Sequence, residues 1–115
     1  MNNFNVERDE ALKEALTAGN THRKNGRFKE AASIYSKVLE LDPNNLEALD
    51  GMGEIASVSD TPHAALPIYA KILHLDPENI NALNNRGIHL MSMGDAEASE
   101  FSFRKLLKIA PEDID

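Results

Sequence analysis

Apolar, small and polar positions recur along this chain at one fixed interval of 34 residues. Gly19, Gly53 and Gly87 superimpose at that offset, as do Ala31, Ala65 and Ser99, then Tyr35, Tyr69 and Phe103. Leu41, Leu75 and Ile109 follow in register, with Lys37, Lys71 and Lys105 before them and Pro43, Pro77 and Pro111 after. Within each copy the apolar stripe advances by three and four residues, as in Ala31, Tyr35, Val38 and in Ala65, Tyr69, Ile72, which is the period of one helix face. A repeat of this length reads as a helix-turn-helix unit that buries its apolar face against its neighbours. The pattern predicts three such units over residues 12–45, 46–79 and 80–113, preceded by an extension over 1–11, all within one domain.

Each residue class has a task in such a unit. Glycine inside a helix costs about 1 kcal/mol relative to alanine, so its recurrence predicts close approach of a facing helix, with Ala31, Ala65 and Ser99 serving the same contact from the other side. The prolines are expected to end one helix and open the next. Asn25-Gly26 and Gly94 supply the tight turns of the first and third hairpins. The middle unit departs from this scheme: it has Ser59-Asp60-Thr61-Pro62 at its turn and Pro67 shortly after. With Thr61 as cap and Pro62 at the first helical position, Pro67 would cost about 3 kcal/mol inside a straight helix. The expectation is a kink, or a helix that begins near Pro67 behind a less regular segment.

Spaced in this way, the residues resemble the tetratricopeptide repeat, whose pattern runs W-x2-L-G-x2-Y, A-x3-F, P. The second unit carries Leu49-x2-Met52-Gly53-x2-Ala56, Ala65-x3-Tyr69 and Pro77; the third carries Leu83-x2-Arg86-Gly87-x2-Leu90, Ser99-x3-Phe103 and Pro111. The first is loosest, with Ala15-x2-Ala18-Gly19-x2-His22 ahead of Ala31-x3-Tyr35 and Pro43. The resemblance implies an all-α fold, a right-handed superhelical array of three antiparallel helix-turn-helix repeats. It also implies a function: a scaffold or adaptor whose first helices line a concave groove that binds a peptide or helix of a partner protein.

The stripe next to the buried one on each first helix is expected to line that groove. In the first repeat it holds Lys13, Leu16, Asn20 and Arg23, with Lys24 beside them; in the second Glu47, Asp50, Glu54 and Ser57; in the third Asn81, Asn84, Ile88 and Met91, with Asn85 adjacent. Asparagine amides both donate and accept, so Asn20, Asn84 and Asn85 are the candidates for gripping a peptide main chain. The acidic trio suits a basic ligand side chain, or pairs with Lys13 and Arg23 of the preceding repeat. Co-chaperone members of the family clamp a terminal carboxylate with Lys, Asn, Asn, Lys and Arg. Here Asn20 matches one place, whereas Leu16, Gly51, Asn81 and Asn85 fill the others, so that ligand is not expected.

The ends of the array raise a separate issue. Repeat arrays need a polar terminal face, yet only Glu112 to Asp115 follow Pro111. Phe103, Leu106 and Leu107 are therefore expected to be partly bare and open to homo-oligomer formation, a partner, or further sequence. At the other end Phe4 and Val6 are expected to extend the first helix and shield its opening face. A self-assembling structural role and the repeat portion of a larger enzyme are the alternatives to an adaptor.

Composition narrows the chemistry. A net charge of -7 repels nucleic acid and anionic membrane surfaces. The absence of cysteine excludes thiolate metal sites and thiol nucleophiles. His22, His63, His74 and His89 show no metal-ligand spacing, Gly51-x-Gly53 follows a helical stretch rather than a strand, and Ser57 and Ser59 lack a nucleophile elbow. No cofactor, metal or catalytic residue is expected; the N-terminal MNNFNVERDE does not read as a secretory signal, so cytoplasm is the default expectation, with periplasm the alternative if a signal has been removed.

Overall fold

The apolar stripes form six α-helices in a computed structural model that describes residues 3–111. They are α1 (Asn3–Lys24), α2 (Phe28–Leu41), α3 (Leu46–Ser57), α4 (Ala65–Leu75), α5 (Ile80–Ser92) and α6 (Ala96–Ile109), with a 3-10 turn over Pro62–Ala64 and no strand among the described residues. The chain separates into two compact units, one ending at Ile55 and the other beginning at Ala56. In the first, α1 packs on α2; in the second, α5 packs on α6 and α4 on α5.

Residues four and three apart form each buried seam. Ala31, Tyr35 and Val38 are buried on α2, Ala65, Tyr69 and Ile72 on α4, and Ser99, Ser102 and Leu106 on α6. In the first unit Leu12, Leu16 and Ala48 join the α2 seam, and Leu39, Met52 and Ile55 pack around it. The close approaches expected at Gly19 and Gly87 are present. A Cβ on Gly19 would lie 2.9 Å from the Tyr35 ring and one on Gly87 2.8 Å from the Phe103 ring. Ser99 confirms the contact from its side, its hydroxyl donating to the Gly87 carbonyl at 2.8 Å. Gly26 and Gly94 turn their hairpins at φ 77° and 85°, left-handed conformations that other residues adopt only with strain.

Several expectations are corrected. Pro43 and Pro77 do not open the following helices; they lie in connecting turns, and the helices begin three residues later, at Leu46 and Ile80. Those starts are capped by side chains instead. Asn45 Oδ1 accepts from Ala48 N and Asn79 Oδ1 from Ala82 N, both at 2.9 Å, while Asn45 N and Asn79 N donate back to the Asp42 and Asp76 carbonyls. Thr61 precedes the 3-10 turn without a side-chain capping bond. Pro67 is the third residue of α4, inside the first turn where its missing N–H has no partner to lose, so the helix begins near Pro67 behind an irregular segment and needs no kink. Leu106 is 2% exposed, not bare, because it occupies the hairpin position of Val38 and Ile72. Leu107 is 47% exposed and Phe103 half-buried. The extension is helical from Asn3, but Val6 is 43% exposed and shields little; the Phe4 side chain and residues 112–115 lie outside the described residues.

Candidate partner-binding surface

In the first unit, α1 and α3 bring five of the candidate groove residues together around a tyrosine. Tyr35 is fully buried, yet its hydroxyl donates to Asn20 Oδ1 at 2.5 Å and accepts from Arg23 Nε at 3.1 Å. Asn20 Nδ2 donates to Glu47 Oε1 at 2.9 Å, and the Arg23 guanidinium forms a salt bridge with Glu54. The Asp50 carboxyl is held above its usual value by burial first and then by the like charge of Glu54, with Arg23 opposing. Part of the acidic trio thus pairs with the preceding repeat, through Arg23. Lys13 is exposed and outside this cluster. Leu16 does not line the surface; it lies one turn beyond Leu12 on the face that packs against Ala31 and Tyr35, where an aliphatic side chain is driven out of water.

The second unit opens a cleft of about 510 Å³ along α5. Asn85, Ile88, His89 and Ser92 line it from α5, and Pro62, His63 and Tyr69 from the opposite side. Of the candidate residues of this unit, Asn85 and Ile88 line the cleft, and Ile88 is 53% exposed. Asn81 and Asn84 are exposed but do not reach the cleft. Met91 turns away from Ile88 into a separate groove between α5 and α6, since three residues along a helix rotate a side chain by most of a turn without completing it.

His63, His89 and Met93 were not legible as lining residues. His89 occupies the repeat position of Ile55, and its buried Nε2 has no hydrogen-bond partner among the described residues. The Tyr35 hydroxyl was legible in principle as the polar tip of an otherwise apolar seam. Among the described residues no group of three or more His, Asp and Glu is placed to hold a metal ion, and no helix is long and apolar enough to cross a membrane.

Helical hairpins in a 34-residue register, with polar and cleft-lining side chains displayed on the first helix of each repeat, define an all-α repeat protein of the interaction-scaffold class. Two family models, each described as Tetratricopeptide repeat, match residues 13–45 and 80–113, together more than half of the chain. The chain belongs to the tetratricopeptide repeat family. Among solved structures it is similar to the MamA protein, with 25% identity and a TM-score of 0.78 over 88% of this chain and 55% of that one. It is also similar to a MamA mutant, with 22% identity and a TM-score of 0.73 over 87% and 58%. The chain therefore spans little more than half the length of these proteins. No curated protein matches it.

Proposed function

We propose that this protein is an adaptor that holds an extended peptide of a partner protein in the α5 cleft. One observation carries the reading. Within the cleft, the Asn85 side chain has no hydrogen-bond partner among the described residues, so its amide is able to pair with a peptide main chain, while the exposed Ile88 beside it accommodates an apolar side chain. The equivalent surface of the first unit is already engaged: Asn20 spends its amide on Tyr35 and Glu47. Affinity is therefore expected to concentrate on Asn85 and Ile88 more than on Asn20.

A displayed library of extended peptides, selected on the wild-type chain and re-measured on an Asn85→Ala, Ile88→Ala double variant, tests this. Selected peptides should lose about tenfold or more in affinity on the variant, equivalent to about 1.4 kcal/mol. Peptides that bind both proteins equally would reject the cleft as the anchor.

A further inference from the structure

The first unit provides a view of what sits on the outer face of a hairpin in this protein. There α3 covers α1 and α2: Ala48, Met52 and Ile55 pack with Ala31, Tyr35 and Leu39. Gly51 lies against the Tyr35 ring, where a Cβ would come within 2.8 Å of the hydroxyl. Polar hooks tie the helix down, Asn20 to Glu47 and Arg23 to Glu54.

Two repeats later the same places are Ser99, Phe103 and Leu107, with Ile88 standing for Asn20 and Met91 for Arg23. Met91, Ser99, Phe103 and Leu107 line an open groove of about 350 Å³ between α5 and α6. Its apolar residues are uncovered: Met91 is 59% exposed and Leu107 47%, whereas Leu39 at the matching place is packed against the core. Every polar hook of the first unit, the Asn20 amide, the Arg23 guanidinium and the Tyr35 hydroxyl, has an apolar counterpart at the same repeat position, Met91 and Phe103 in the groove and the exposed Ile88 one turn before Met91 on α5. Charge is confined to the rim, where Arg104 and Glu100 pair at 2.5 Å.

We propose that the α5–α6 face docks an amphipathic helix of a partner protein, seated as α3 is seated in the first unit. That helix carries a small residue under Phe103 and aliphatic residues where α3 carries Glu47 and Glu54. An acid at either place would be desolvated against Ile88 or Met91 with nothing to pair it, while an aliphatic side chain there gains from burial. The same register argues against a second copy of this chain. Its α1 would bring Thr17 to the Phe103 ring where α3 brings Gly51, and Lys13 and Asn20 to the two apolar places.

The probe is a helix-stapled peptide of residues 45–57 carrying Glu47→Leu and Glu54→Leu, titrated into the isotope-labelled 115-residue chain by NMR. The unsubstituted 45–57 peptide and a peptide of residues 11–24 run alongside. The doubly substituted peptide is expected to bind about tenfold or more tighter than either, with shifts centred on Met91, Phe103 and Leu107. A Met91→Glu, Leu107→Glu variant, altered only at exposed positions, should lose that binding while keeping its melting temperature. Absence of binding, equal binding to the variant, or shifts centred elsewhere would overturn the proposal. So would tighter binding of the 11–24 peptide accompanied by a rise in sedimentation mass, which would make a second copy the occupant.

Discussion

Tyr35 shows how much one side chain organises. Its ring fills the space left by Gly19 and Gly51, and its hydroxyl gathers Asn20 and Arg23. A Gly51→Ala substitution gains about 1 kcal/mol of helix propensity but forces the ring off its seat, an overpacking cost of about 1–3 kcal/mol. The expected net result is a loss of about 1–2 kcal/mol in urea unfolding, because displacing the ring also breaks the hydroxyl's two bonds. Asp50 yields a pH prediction. Its folded-state pKa lies above the unfolded value, so the folded state binds the proton more readily. Through this group, stability falls as pH rises from the unfolded value of 3.8 through the raised one, and the penalty persists at neutral pH. Asp50→Asn should therefore raise the melting temperature at pH 7, with an advantage that shrinks as the pH approaches 4. An advantage independent of pH would mean that the carboxyl's ionisation is not what matters.

At the scale of elements, helix ends are set by local chemistry more than by the prolines. Asp42-Pro43-Asn44-Asn45 and Asp76-Pro77-Glu78-Asn79 place an aspartate and a capping asparagine three residues apart, and each pair is also joined side chain to side chain, at 3.1 Å and 3.3 Å. Asn45→Ala and Asn79→Ala should each cost about 1 kcal/mol, the ordinary value of a lost N-cap, read as a shifted denaturation midpoint. Pro67→Ala should change stability by less than about 0.5 kcal/mol, since a first-turn proline forfeits no helical hydrogen bond. A cost near 3 kcal/mol in that variant would instead mean that Pro67 holds the preceding 3-10 turn in place.

At the scale of the whole molecule, a net charge of -7 on 115 residues repels itself. Raising ionic strength from about 0.01 M to 0.15 M, which shortens the screening length from about 30 Å to about 8 Å, should raise the melting temperature in a calorimetric scan. A fall would show that attractive pairs such as Arg23–Glu54 outweigh the net repulsion. The 34-residue register by itself was enough to read the helical hairpins and their family, because small, aromatic and proline positions recurring at one period match a helix-turn-helix unit that buries one face. It named Asn20, Arg23, Glu47, Asp50 and Glu54 as candidates for a groove, and the structure gathers them around Tyr35. Only the tertiary structure decided that Leu16 goes inward, that Leu106 is covered while Leu107 is not, and that Met91 leaves the stripe of Ile88 for another groove. A single helix offers each of those residues two adjoining faces, and the choice between them is made by the packing of the neighbouring helix, which no spacing along one chain segment records.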